Sequence, residues 1–300
     1  MRINLLTDAP RHNLALMKIS AYHKAKGDEV MLNMPLAPCD RSYASWLFTW
    51  SAWYGADVVG GTGYDGGITR LQEEIQSQKP DYSLFPKLDY SLGYTWEWCP
   101  RQCPWCVVPM NKPPREHQSI YQFLNPFFSK ICLLNNNTFS DPRWRQTFLE
   151  IWDAGLEVID QNGYDLRLLD EEKAEALKRT KFVGSLYFSW DWIEDEAEIR
   201  RGLELIKRVG IKHDIRVYVL VGYPDGQGIG ESDIYRCQVI ADHGLTPYAM
   251  VYNNNSTDSR LWWFRRMCNR TFAWRKLGFQ KAWEEGYRPE KRHRAHLVRR

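Results

Sequence analysis

The stretch Ser91–Pro109, SLGYTWEWCPRQCPWCVVP, decides how the rest of this chain is read. It sets Cys99, Cys103 and Cys106 in a CxxxCxxC pattern directly after a predicted strand, so three thiols share one short loop. Such a loop can aim three thiolates at one small inorganic cluster, and soft sulfur ligands favour iron–sulfur or zinc. Three protein ligands leave one coordination position open. An open position marks a catalytic centre rather than a closed structural staple.

The aromatic Trp105 stands just before the last cysteine, with Gly93-Tyr94-Thr95 upstream and Val107-Val108-Pro109 downstream. In these residues the stretch resembles the radical S-adenosylmethionine (radical SAM) superfamily, in the branch that carries a cobalamin-type domain upstream. The resemblance implies that Cys99, Cys103 and Cys106 hold three irons of a [4Fe-4S] cluster, while the fourth iron chelates the amino and carboxylate groups of S-adenosyl-L-methionine. Reductive cleavage of the sulfonium would then yield a 5′-deoxyadenosyl radical that abstracts hydrogen from a substrate. The cofactors carry the hard chemistry and the protein supplies position and electrostatics. The resemblance also implies a reductant such as flavodoxin or ferredoxin, and it places Trp105 against the cofactor.

Other uses of the cysteines are weaker readings. A structural zinc site needs a fourth ligand, for which His117 and Cys132 are the candidates, but neither has the paired spacing of a zinc ribbon. A two-cluster ferredoxin needs a second cysteine run. Cys39, Cys132, Cys237 and Cys268 are scattered and read as buried small apolar residues. A methylthiotransferase needs three more cysteines upstream, where only Cys39 stands. Seven cysteines in 300 residues with no secretory leader suggest reduced thiols and a cytoplasmic location.

With 44% apolar residues the chain can bury a substantial core. No window is long and apolar enough for a membrane span: the longest uncharged run, Ser42 to Ala56, is too short. Its Trp46, Thr49, Trp50 and Trp53 fall at helical spacing, which predicts a packed helix. A net charge of +3 excludes a protein that binds nucleic acid through its overall charge.

Arg2 to Thr7 reads as a buried strand and Asn13 to Lys26 as a helix stopped by Gly27. Glu29 to Met34 and Asp57 to Thr62 read as the second and third strands, flanking the tryptophan-rich helix, and Ile68 to Gln78 as a further helix. This alternation predicts a small doubly wound, Rossmann-like α/β domain over residues 1–87. It resembles the cobalamin-binding-like domain that precedes some radical SAM barrels. The Asp-x-His-x-x-Gly loop that ligates cobalt in that family is absent, since Asp8 and His12 have the wrong spacing, so cobalamin is not expected. Gly61 to Gly66 matches G-x-G-x-x-G, with Asp81 downstream, but follows the third strand rather than the first. A tight turn is the better reading than a dinucleotide site.

Residues 88–257 continue as strand and helix in turn. Strands are predicted at 90–96, 130–135, 156–160, 184–190, 214–223 and 246–253, and helices near 116–124, 142–154, 171–179, 195–209 and 231–243. Six such units match the family's partial (β/α)6 TIM-like barrel, whose site lies at the carboxyl ends of the strands. By the resemblance, Asn135 and Asn137 after the second strand stand where the amino group of S-adenosylmethionine is held, and Ser189 and Asp191 where its ribose and methionine parts are met. Asp191 or Asp195 as a helix N-cap is the competing reading. Gly222 stands where the adenine approaches, and Arg200, Arg201 or Arg216 could pair with the carboxylate. Gln161, Asn162 and Tyr252 are candidate substrate contacts, while Met250 is read as core.

Residues 258–300 form a helical extension, read as helix from Asp258 to Gly286 and then a basic tail from Arg288 to Arg300. The aromatics of the helix read as packing against the barrel. The tail points to a nucleic acid or another acidic partner. The sequence thus predicts a radical SAM enzyme acting on a nucleotide or nucleic acid. Its alternatives are radical modification of a peptide or small metabolite, or a non-enzymatic adaptor carrying zinc or a cluster.

Overall fold

The structure is a computed structural model that describes residues 1–51, 55–108, 116–226, 228–252 and 256–286. The chain forms two compact units, Met1–Ile159 and Asp160–Arg300, both mixed α/β with parallel sheets.

The first unit opens with strand β1 (Arg2–Thr7), in which every residue after Arg2 is buried. Burial on both faces suits an interior strand of a parallel sheet. Helix α1 (Leu14–Ala25) starts at Asn13, whose side-chain oxygen accepts the Leu16 N–H. The same side chain donates to Thr7 Oγ1 at 3.0 Å and Ser45 Oγ at 2.9 Å, fastening the helix start to two strands. Strands β2 (Glu29–Leu32), β3 (Arg41–Ser45) and β4 (Val58–Gly60) complete a sheet of order β2-β1-β3-β4, parallel throughout.

The predicted tryptophan-rich helix is not formed. Arg41–Ser45 pairs with β1, and the described residues that follow are not helical. Local helical bonds lose here to distant partners. The Asp8 carboxylate accepts the N–H groups of Leu47 and Phe48 at 2.8 and 2.9 Å, and Trp46 N–H donates to Gly60 O at 2.9 Å. Trp46 is buried and Trp50 exposed, while Trp53 lies outside the described residues. The strand expected third is therefore fourth. Of the helix expected from Ile68 to Gln78 only α3 (Glu73–Gln76) forms, after a single turn, α2 (Thr62–Asp65).

The glycines of the G-x-G-x-x-G run serve backbone approach. A Cβ on Gly61, whose φ is +111°, would stand 2.3 Å from Trp46 O, and one on Gly63 would stand 2.5 Å from the Phe48 backbone. Asp81 accepts from Ser20 Oγ and pairs with Lys24 at 2.7 Å, so it too is accounted for within the protein.

A second sheet of the first unit has the order β5-β6-β7, from β5 (Ser91–Gly93), β6 (Lys130–Leu133) and β7 (Glu157–Ile159). All its pairings are parallel. Helix α4 (Trp144–Asp153) lies between β6 and β7 in sequence, whereas the helix expected near 116–124 is only a 3-10 turn, Ile120–Gln122. One apolar core runs from Ile3, Leu5 and Leu16 through Leu88 to Leu92 and Cys132, without a break at residue 87.

The second unit holds a parallel sheet of order β11-β10-β9-β8, from β8 (Tyr164–Asp165), β9 (Leu186–Ser189), β10 (Ile215–Val221) and β11 (Thr246–Val251). The two-residue β8 is absent from the sequence reading, which a strand this short cannot reach through periodicity. Helices α5 (Glu171–Arg179), α6 (Glu196–Val209) and α7 (Glu231–Asp242) stand close to their expected bounds. In α6, Ile199, Leu203 and Ile206 form one buried stripe, Gly202 leaves room for the Leu166 carbonyl, and Gly210 ends the helix in the left-handed region. The expected single helix from Asp258 to Gly286 is two, α8 (Ser259–Cys268) and α9 (Phe279–Gly286), divided at Asn269 and Gly278. Phe264, Trp274, Phe279 and Trp283 are buried between them, and Phe272 is exposed. The tail Arg288 to Arg300 lies outside the described residues.

Among the described residues no helix is long and apolar enough to cross a membrane. The Gly61 contact yields a direct check. Gly61→Ala combines a left-handed backbone with a clash against main chain, and is expected to cost about 3 kcal/mol in urea unfolding. Gly55→Ala, with nothing within 4 Å of its new methyl, should stay within about 1 kcal/mol of the parent. Equal costs for the two would remove the close-approach explanation.

Candidate functional site

The cysteine loop leaves the carboxyl end of β5. Gly93 ends that strand where a Cβ would stand 2.4 Å from the Phe123 ring, so only glycine lets the chain pass. Beyond it, Asn135 Oδ1 accepts the N–H groups of Thr95 and Trp96 at 2.8 and 3.1 Å, and its amide donates to Thr95 Oγ1 and Thr138 Oγ1. This buried carboxamide locks the base of the loop to the end of β6. Its polar atoms are occupied within the protein, and holding the loop is its role in the structure.

Asn137 reaches the loop itself. Its amide donates to Cys99 Sγ at 3.7 Å, while the Val108 N–H donates to Cys106 Sγ at 3.4 Å. The Cys106 N–H donates to Cys103 O at 3.0 Å, making a turn of the CxxC segment, and Trp105 sits partly buried on that turn. Cys99, Cys103 and Cys106 are all partly exposed, and none is in a disulfide. Hydrogen bonds to cysteine sulfur tune any cluster it holds.

Among the described residues, no group of three or more His, Cys, Asp or Glu side chains is placed to hold a metal ion. The donor set nevertheless fits a cluster by its chemistry: three soft sulfurs on one loop, two of them receiving N–H groups. Of the two residues considered as a fourth zinc ligand, Cys132 is fully buried in β6. His117 holds Asp141 Oδ2 through Nδ1 at 2.6 Å, and its buried Nε2 has no hydrogen-bond partner. Cys237 and Cys268 are buried as expected, but Cys39 keeps partial exposure in the loop after β2.

In the second unit, Ser189 closes β9 on the partly exposed side of the sheet, and Asp191 lies past the strand end. The Asp191 carboxylate accepts the Leu220 N–H at 2.9 Å, and burial pushes its pKa up. It ties β9 to β10. Asp195 stands at the N-cap position of α6 as expected, but its carboxylate pairs with Arg167 at 2.6 Å instead of capping a helix N–H, and Asp191 is not at a helix start. Arg200 is held by Glu196 and Tyr235, Arg201 by the Arg167 carbonyl, and Arg216 by Asp214. A buried arginine that the sequence reading passed over, Arg236, donates to the carbonyls of Trp190 and Leu220 and to Asp233.

Gly222 has a φ of +74°, a left-handed backbone that favours glycine, and a Cβ there would also crowd the Leu261 side chain at 2.8 Å. Tyr252 stands edge-on to Tyr223, with centroids 5.0 Å apart. Gln161 and Asn162 are exposed, and the Gln161 carbonyl accepts from Tyr218 Oη at 3.4 Å. Met250, read as core, is 48% exposed. It belongs to the same face as Tyr187, Tyr218 and Tyr248, opposite the buried Val217, Val219 and Ala249. Tyr187 stacks on Tyr218 at 4.8 Å, and Tyr248 meets Tyr218 edge-on at 5.5 Å.

Beside this tyrosine row lies Asp160, the last residue of the strand predicted at 156–160. Its carboxylate accepts the Gly163 and Tyr187 N–H groups at 3.0 and 2.7 Å. Burial pushes its pKa up to about 7, against the pull of those two N–H groups. A carboxyl that titrates near neutrality is able to hold or release a proton at physiological pH.

The sign of its effect on stability follows. The folded state binds this proton more tightly than the unfolded chain, whose aspartates titrate near about 4. The Asp160 contribution is therefore full below about pH 4 and is lost as pH rises to about 7. Urea unfolding across that range should show a decline in the parent protein that Asp160→Asn lacks; a parent-minus-variant difference that stays flat would contradict the raised pKa. No family model matches the chain, and no curated protein sequence matches it.

Proposed function

We propose that the chain is a radical SAM enzyme whose cluster is held by Cys99, Cys103 and Cys106. The observation that carries this reading is the placement of the CxxxCxxC loop at the carboxyl end of a parallel strand, with Asn137 from the next strand's end donating to Cys99 Sγ. Ligand sites of parallel α/β sheets gather at that end. The fold that goes with this reading is the partial (β/α)6 TIM-like barrel expected over residues 88–257.

When bound, a [4Fe-4S] cluster with S-adenosylmethionine supplies reductive cleavage of the sulfonium to a 5′-deoxyadenosyl radical. The protein's part is to hold three thiolates, orient the cofactor and keep water away. Asn137 and Val108 steady two of the sulfurs, and Asn135 fixes the base of the loop. Metal binding is coupled to local folding, so convergence of the three thiols belongs to the loaded state. Trp105, Ser189, Asp191 and Gly222 are the proposed cofactor contacts, Asp191 by keeping the strand ends in place. Gln161, Asn162 and Tyr252 are the proposed substrate contacts. The substrate class is a nucleotide or nucleic acid, the electron donor a flavodoxin or ferredoxin, and cobalamin is left out.

Anaerobic reconstitution is expected to give brown protein with about four irons per chain. It should release 5′-deoxyadenosine from S-adenosylmethionine under reduction, and Cys103→Ala should lose both properties. Colourless protein with one zinc would replace this reading with the adaptor. For the substrate, RNA affinity is expected to fall steeply with salt, and deletion of residues 288–300 should flatten that slope. Salt-independent binding would turn the assignment toward a peptide or small metabolite.

A further inference from the structure

The first unit contains a cavity of about 670 Å³ that none of the cluster chemistry uses. Its volume falls within the range of small-molecule sites. It runs along α1, over the β3 and β4 residues Tyr43 and Gly60, and ends at Tyr94, Glu97 and Val108 beside the cysteine loop. The described side chains that line it include four cations, Lys18, Lys26, Arg41 and Arg70, and a single carboxylate, Glu97. Two of the cations rest on tyrosine rings: Lys26 lies 3.9 Å over Tyr22, and Arg41 5.2 Å over Tyr43.

Lys18 is the exception. It is half-buried on α1, and its ammonium makes one hydrogen bond, to the neutral carbonyl of Gln76 at 2.6 Å. An ammonium has three donors, so two are left without an acceptor among the described residues, on a side chain that lines the cavity. Burial pushes its pKa down, with Glu97 and Glu73 pulling the other way. Glu97 is itself turned to Arg70 and Gln76, each at 3.4 Å. An enclosed cation of this kind costs stability unless something pairs with it.

We infer that this cavity binds a small organic anion, a carboxylate or phosphate monoester, whose charged group pairs with Lys18 and Arg70 and whose body lies against the tyrosine-lined wall. The inference does not rest on the cluster, and it extends the chain's ligands beyond those proposed above.

The test uses the full chain, with or without reconstituted iron. Benzoate and phenyl phosphate are titrated by calorimetry at low salt, with benzyl alcohol as the neutral probe. One or both anions should bind saturably and benzyl alcohol should not, and the tighter anion identifies the charged group. Lys18→Met should weaken that binding roughly tenfold to a hundredfold. Its melting temperature should not fall, because an underpaired half-buried cation has been removed, whereas Lys281→Met, at an exposed site, should bind as the parent does. Absence of anion binding, equal binding of the neutral probe, or affinity unchanged by Lys18→Met would each overturn the inference. None of these results bears on whether the cysteines hold iron, which the metal analysis reads separately.

Discussion

A parallel strand buried on both faces leaves main-chain N–H groups beyond its carboxyl end that the ladder no longer serves, and they must still find acceptors. This chain supplies acceptors in and beyond its strands from single Asp and Asn side chains in the loops and at one helix start. Asp8 takes Leu47 and Phe48, Asn33 takes Thr7, and Asn135 takes Thr95 and Trp96. In the second unit Asp160 takes Gly163 and Tyr187, Asp191 takes Leu220, and Asp233 takes Gly222 and Gly230. The Asn135 clamp sets where the cysteine loop begins.

The same constraint explains why polar residues at strand ends are ambiguous in sequence. Asn135 and Asp191 stand where a cofactor contact is expected, yet both are engaged with backbone N–H groups, Asn135 with the loop after β5 and Asp191 with Leu220 inside β10. A ligand contact and a backbone clamp ask for the same residue types at the same positions. Asn137 differs from Asn135 by two residues, and its amide reaches a cysteine sulfur. Asp160 differs in another way: two N–H groups do not offset its burial, so its proton is held to about pH 7.

Charge follows a similar division. Most cations of the first unit's cavity rest on rings or face a carboxylate, and Arg236 in the second unit is bound by two carbonyls and Asp233. Buried charge is tolerated where its donors are met. Lys18, with its single neutral partner, departs from that pattern.

Periodicity and punctuation in the sequence determined the α/β class, the helices α4 to α7 to within a few residues, and the grouping of three cysteines on one loop after a strand. Those features rest on local signals: an apolar stripe, a cap, a stop glycine, a fixed spacing. Tertiary structure alone decided that Arg41–Ser45 is a strand instead of the start of a helix, because β1, Asp8 and Gly60 outbid the helical bonds from a distance. It alone turned the 61–66 glycines into a seat for the Trp46–Phe48 backbone, split the C-terminal helix, and placed Asp160 beside a row of tyrosines. Every one of these depends on a partner far away in the chain, which no window of sequence contains.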